Sequence, residues 1–111
     1  MASAQMSTMV VMTSTLHIEH PVADFDVWKS TFDGFHDVRV DHGVRSYRVA
    51  RGVEADSRVT IDLVFDDEDA ASTFHRFLVE NVWSRQQAAE VLTGRPSAVV
   101  LNLVEDTMIS R

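Results

Sequence analysis

The chain reads as an α+β domain in which a four-stranded antiparallel sheet carries two helices on one face, in the order βαββαβ. Three observations predict this. Four segments rich in Val, Ile, Leu and Thr alternate apolar and polar residues with a period of two. Two longer segments between them repeat aromatic and aliphatic residues at helical spacing. Finally, 111 residues with 45% hydrophobic content suffice for one core and not for two. Residues 1–9 are small and polar and read as a flexible N-terminus, 10–106 as the domain, and 107–111 as a C-terminal tail.

The first strand is expected from Val10 to His20, where Leu16 and Ile18 alternate with His17 and Glu19. Pro21 closes it, because its ring nitrogen cannot donate to a ladder. Asp24 stands where an N-cap belongs, before "FDVWKSTFDGFHDVRVDHG". At 100° per residue, Phe25, Trp28, Phe32 and Phe35 fall within an arc of about 80°. Asp26, Lys29, Ser30, Asp33, Asp37 and Asp41 lie opposite. The pattern predicts one amphipathic helix running to Gly43, which suits a left-handed position after the helix end.

"VRSYRVAR" (44–51) and "RVTIDLVF" (58–65) read as a pair of strands around the turn-like "GVEADS". Val59, Ile61, Leu63 and Phe65 share one face; Thr60 and Asp62 take the other. The acids of "DDEDAASTFHRFLVE" cluster where a helix dipole favours negative charge, and the stripe Ala70, Phe74, Phe77 and Leu78 would face the core. "NVWSRQQAAEVL" continues as helix after a break near Asn81, "TGRP" ends it, and "SAVVLNLVE" is the last strand. Two split βαβ units of this kind give a ferredoxin-like sheet with both helices on one face. The second face must be solvated or covered, most simply by another copy of the chain.

Composition removes several function classes. Seventeen acidic against ten basic residues give a formal charge of −7, which disfavours nucleic acid and anionic lipid as partners. Without cysteine there is no disulfide, thiolate nucleophile or Cys-ligated zinc. No apolar run approaches the roughly 20 residues a membrane-spanning helix needs, and the N-terminal residues lack the basic and apolar regions of a secretory signal. A cytoplasmic location is the expectation.

"TLHIEHPVADFDVWK" (15–29) concentrates two histidines and a carboxylate. On a strand, His17 and His20 point to opposite faces and cannot chelate one ion. His17 and Glu19 share a face but fall short of the three or four ligands a zinc site needs. The reading is no metal and no cofactor.

"HPVADFDVWKSTFD", followed by Arg39, Gly43 and "YRVAR", resembles small bacterial proteins of the dimeric α+β barrel superfamily, which includes antibiotic-biosynthesis monooxygenase-like proteins and small polyketide cyclases. "AASTFHRFL" and "GRPSAVVLNLVE" extend the resemblance over residues 16–105. It implies a homodimer in which two sheets face each other, a ligand cavity between each sheet and its helices, and chemistry on apolar aromatic molecules, often without metal or organic cofactor. The haem-degrading branch looks like an Asn in strand one with a paired Trp and His on helix two. Here strand one has Leu16, His17 and Ile18, and His75 and Trp83 stand in the reverse order, so haem degradation is not implied.

Individual residues admit two readings each. His20, on the face of Leu16 and Ile18 and next to Phe25 and Trp28, is first a structural histidine and second a general base acting on an acidic phenol or enol. Arg39 falls inside the apolar stripe, between Trp28 and Phe32, and a guanidinium there needs an anion. The first expectation is an ion pair with Asp66, Asp67, Glu68 or Asp69; the second is recognition of a substrate carboxylate or enolate oxygen. Trp28, Phe32 and Tyr47 would wall the cavity. His75 and Trp83, at the edges of the second helical stripe, read as packing residues before pocket residues, and His36 and His42 as boundary residues. His17, Glu19, Thr60 and Asp62 form a polar patch on the opposite sheet face, read as a hydrogen-bonded network in a dimer interface. The functional expectation is a homodimer that binds an apolar, aromatic small molecule, with polyketide-type cyclisation or cofactor-free oxygenation as its chemistry. The alternative is a non-catalytic binding or assembly module.

Overall fold

All four strands pair antiparallel in the order β2-β3-β1-β4. The computed structural model describes residues 13–54, 58–88 and 91–109. Along the chain run β1 (Ser14–Pro21), α1 (Phe25–Gly34), α2 (His36–Asp41), β2 (Ser46–Arg51), β3 (Arg58–Phe65), α3 (Glu68–Leu78), a π-helical turn (Val79–Trp83), α4 (Ser84–Ala88) and β4 (Ser97–Asn102). This is the expected ferredoxin-like α+β architecture, with β1 and β3 central. The expected N-terminal segment, and the start of the first strand at Val10–Met12, lie outside the described residues. β4 stops at Asn102, short of the expected Glu105, and residues 103–109 carry no regular structure and are exposed.

Register follows the period-two pattern. Leu16 opposes Leu63, Ile18 opposes Ile61 and His20 opposes Val59 on the face towards the helices, while His17 opposes Asp62 and Glu19 opposes Thr60 on the other. The helix-side face is closed by Trp28, Ala71, Phe74, Val82 and Trp83, all buried with Leu16, Ile18, Val59, Leu63 and Phe65. Each such large side chain contributes about 1.5–3 kcal/mol of apolar burial. In the second helix the fully buried alanine is Ala71, while Ala70, Phe77 and Leu78 of the expected stripe are only partly buried.

Both helix starts match their sequence signals. The Asp24 carboxylate accepts from the Val27 N–H at 3.0 Å, and Asp67 accepts from the Ala70 N–H at 2.9 Å. The first helix, however, is not continuous. It breaks at Phe35, whose φ of −97° and ψ of 16° leave the helical region. Gly34, with its low helix propensity, precedes the break. The freed Phe32 carbonyl then accepts from the Phe35 N–H at 3.1 Å and from Arg39 Nη1 at 2.8 Å. A positive guanidinium thus sits at the negative end of α1. Gly43 adopts φ 87°, as its place after the second half-helix requires. The expected break near Asn81 takes the form of a π-helical turn, with Asn81 at its centre.

Candidate functional site

A cavity lies between the helix-side face of the sheet and α1, α2, α3 and the π-helical turn. Its volume is about 50 Å³, and its walls include Ile18, Ile61, Leu63, Phe74, Leu78 and Val82. Trp28, Phe32, Trp83, His20 and Arg39 also line it, so the structure brings together five of the residues singled out from sequence.

His20 is 2% exposed and Arg39 3% exposed. Three of their buried polar atoms, His20 Nδ1 and Arg39 Nε and Nη2, have no hydrogen-bond partner among the described residues. Buried polar groups in folded proteins are nearly always satisfied, so three orphans in one apolar chamber are unusual. Burial pushes the His20 imidazole down to about 4, only partly offset by the backbone carbonyls of Pro21 and His20 itself. The ring is therefore neutral at physiological pH and retains a lone pair for a proton. Its edge meets Trp28, with ring centroids 5.4 Å apart.

Arg39 corrects the first expectation for it, because it forms no pair with Asp66, Asp67, Glu68 or Asp69. Three of those acids are engaged elsewhere: Asp66 is 3.4 Å from Arg45 Nη1, Asp67 caps α3, and Glu68 accepts from Asn102 Nδ2 at 2.7 Å. The guanidinium instead lies over Phe32 at 3.7 Å from the ring centroid and over Tyr47 at 4.7 Å. Such cation–π contacts are worth about 0.5–2 kcal/mol each. They orient Arg39 without supplying acceptors for Nε and Nη2.

Tyr47 does not line the chamber. It stands one layer out on edge strand β2, against Phe32 at a ring distance of 5.4 Å. His75 is also outside it; its ring lies 5.8 Å from that of Trp83, and both border a surface groove with Val79, Ser84, Arg95 and Pro96. Trp83 faces both spaces. His42, expected at a boundary, packs on Phe74 and Phe77 at 5.0 and 4.5 Å. Its Nδ1 is 2.9 Å from the Val38 carbonyl oxygen; since that oxygen can only accept, Nδ1 carries the proton.

The chamber has a neighbour that sequence reasoning missed. An open cleft of about 410 Å³ is lined by Thr31, Phe35, Phe77, Asn81, Val82, Arg85, Gln86 and Val91. Phe35, Phe77, Val82 and Gln86 border both spaces and form the partition between them. A faint signal existed: Phe77, Asn81 and Arg85 recur every four residues, as do Val82 and Gln86, but the expected break at Asn81 hid the continuation.

On the opposite sheet face, His17 Nδ1 lies 2.6 Å from Asp62 Oδ1 and Nε2 lies 3.1 Å from Glu19 Oε2. The two carboxylates grip opposite ring nitrogens, so the three groups do not converge on one point. The hydrogen bond to Asp62, then that to Glu19, raises the His17 pKa above its ordinary value. Glu19 is also 3.6 Å from Arg58 Nη1. Beside this patch Val99 and Leu101 project from β4, about half exposed.

The fold is an α+β domain of ferredoxin-like topology with a cavity between sheet and helices. Solved structures with the same fold include a protein from Bordetella bronchiseptica provisionally described as an antibiotic biosynthesis monooxygenase. It matches at a TM-score of 0.67 and 13% identity, over 88% of this chain and 99% of that one. A dimeric ferredoxin-like protein from an uncultured marine organism matches at a TM-score of 0.63 and 6% identity, over 89% and 94% of the two chains. SnoaB, a cofactor-independent oxygenase from Streptomyces nogalater, matches at a TM-score of 0.59 and 16% identity, over 90% and 99%. These neighbours are the group the sequence resembles; at such identities the likeness establishes the fold. No protein-family model and no curated protein sequence matches the chain. No helix among the described residues is long and apolar enough to cross a membrane.

Proposed function

We propose that the protein is a homodimer that binds an apolar, aromatic small molecule between sheet and helices and acts on it by metal-free proton chemistry. The observation that carries this reading is the set of three unpartnered polar atoms on His20 and Arg39 in one apolar chamber. Neutral His20 would take a proton from a phenol, enol or activated ring carbon, and the positive charge of the nearby Arg39 guanidinium would stabilise the anion that forms. Two reactions share that first step. In a cyclisation the carbanion adds to a carbonyl of the same molecule. In an oxygenation dioxygen is the co-substrate, and a ring methylene plus O2 yields a ring carbonyl plus water. SnoaB, a cofactor-independent oxygenase of the same fold, supports the second by analogy.

The chamber alone, at about 50 Å³, has room for a few waters and is far smaller than a typical ligand site. Together with the cleft, the space reaches the 300–1,000 Å³ typical of ligand sites. The reacting group would therefore enter the chamber while the ring system stays in the cleft. The small chamber also favours a second reading, a binding or assembly module without catalysis. The dimer would use the outer sheet face, where the His17 network adjoins Val99 and Leu101.

Thermal-shift screening with phenols, naphthols and anthrone tests ligand binding, and oxygen uptake with anthrone tests turnover. We expect a melting shift with at least one fused-ring compound, and His20→Asn to abolish turnover while binding survives. Turnover that persists in that variant would exclude His20 as the base. Light scattering that finds a monomer at micromolar concentration would exclude the dimer.

A further inference from the structure

The unpartnered nitrogens of Arg39 specify more than a positive charge. A guanidinium presents two kinds of edge. Nη1, on the side of the Cδ stem, is already used by the Phe32 carbonyl at 2.8 Å. The two left without partners, Nε and Nη2, are the adjacent pair on the opposite side. Their N–H bonds run nearly parallel and match the spacing of the two oxygens of a carboxylate. A lone enolate oxygen could satisfy one of them well and would leave the other desolvated. His20 Nδ1 is the third buried polar atom without a partner, and both residues line the same chamber.

We propose that the inner chamber is a carboxylate subsite, so that the ligand is an aryl carboxylic acid whose carboxylate docks side-on to Arg39 Nε–H and Nη2–H, with its ring system in the outer cleft. The dimensions fit. A chamber of about 50 Å³ accepts a carboxylate group, whereas the 410 Å³ cleft has aromatic and aliphatic walls at Phe35, Phe77, Val82 and Val91. The stacking of the guanidinium on Phe32 and Tyr47 fixes the plane of the fork before any ligand arrives. Preorganisation of this kind reduces the entropy lost on binding. Phe35, Phe77, Val82 and Gln86, which border both spaces, would then surround the bond joining ring to carboxylate. The inference rests on the reading of chamber and cleft as a small-molecule site, and it narrows the ligand class.

The test uses three matched probes, 1-naphthoate, methyl 1-naphthoate and 1-naphthol, titrated calorimetrically into the wild-type protein, Arg39→Met and Arg39→Lys. Naphthoate should bind the wild type at least tenfold more tightly than its ester or the naphthol. Arg39→Met should weaken naphthoate about 100-fold, the loss expected for a desolvated bidentate charge pair. Arg39→Lys should weaken it about tenfold, since an ammonium keeps the charge and loses the fork. Neither substitution should change ester binding by more than about threefold. If ester and naphthol bind as well as naphthoate, the carboxylate subsite is overturned while the small-molecule site stands. If none of the three binds at millimolar concentration, both readings fall. Should Arg39→Met fail to fold, the contrast between naphthoate and ester in Arg39→Lys decides the matter.

Discussion

His17 and His20 sit three residues apart on one strand and differ in almost every physical respect. His17 faces outward, holds two carboxylates and has its pKa raised. His20 faces the helices, has an unpartnered ring nitrogen and has its pKa lowered to about 4. The strand period places them on opposite faces. What each face meets then decides the chemistry: partners at hand favour the charged ring, whereas burial against Trp28 disfavours it. The lesson is that burial without a partner, and not the residue type, is what singles out His20 as the candidate of the two.

The largest expected effect breaks the inner face directly. Trp28→Ala removes the ring that lies between His20 and Phe32, and should cost about 3–5 kcal/mol in denaturant melts. On the outer face Thr60→Ala should cost less than about 0.5 kcal/mol in the monomer. A comparable loss at both positions would mean that the outer face is as tightly packed as the inner one, as a large dimer interface would make it.

Next comes pH. The folded pKa of His20 lies below its unfolded value of 6.5, so between pH 6.5 and about 4 the unfolded chain binds the extra proton. Stability should fall as pH drops through that window, by on the order of 3 kcal/mol in all. His17 acts in the opposite sense. Its folded pKa is raised, so its contribution is complete below 6.5 and is lost as pH rises through the folded value. The two together place a stability maximum near pH 6.5. His20→Asn should flatten the acid limb and His17→Gln the alkaline limb; a profile unmoved by either would sink the assignment.

Arg39→Met sharpens the contrast between satisfied and unsatisfied groups. It loses two stacking contacts and one hydrogen bond, but relieves two buried N–H groups without acceptors. These terms are each of order 1 kcal/mol and oppose one another. The unliganded variant should melt within about 1 kcal/mol of the wild type, or above it. A loss of about 3 kcal/mol or more would reveal a buried ionic partner. A small effect is also expected of Asp62→Asn on the outer face. With the Asp62 side chain 39% exposed, solvent screens the pair. The substitution should cost about 0–1 kcal/mol while shrinking the alkaline limb.

Much of the fold was legible in the residues. Alternation in β1 and β3 specified which side chains face the helices, Asp24 and Gly43 marked the ends of the first helical segment by local hydrogen bonding and backbone freedom, and the acidic cluster at 66–69 marked the start of α3 by its charge. These are short-range effects, written in a few consecutive residues. The same periodicity put His20, Trp28, Phe32 and Arg39 on converging faces, so most of the candidate site could be named in advance. Tyr47, expected to wall the cavity, lies outside it because period alone locates a face and not a depth, whereas His75 packs at the stripe edge as first read. Tyr47 lies on an edge strand, and His75 on the flank of its helix.

What tertiary structure alone decided is whom each polar group meets. Four acids followed β3 and one buried arginine needed an anion, so an ion pair was a sound expectation from composition. The break at Phe35 turns Arg39 back towards the Phe32 carbonyl, and Arg45, the α3 cap and Asn102 occupy Asp66, Asp67 and Glu68. Likewise the outer cleft is walled by Thr31 and Phe35 from the first helical segment and by Phe77, Asn81, Val82, Arg85, Gln86 and Val91 from much later in the sequence. Pairing and cavity shape depend on distances between segments far apart in the chain, and no local pattern encodes those.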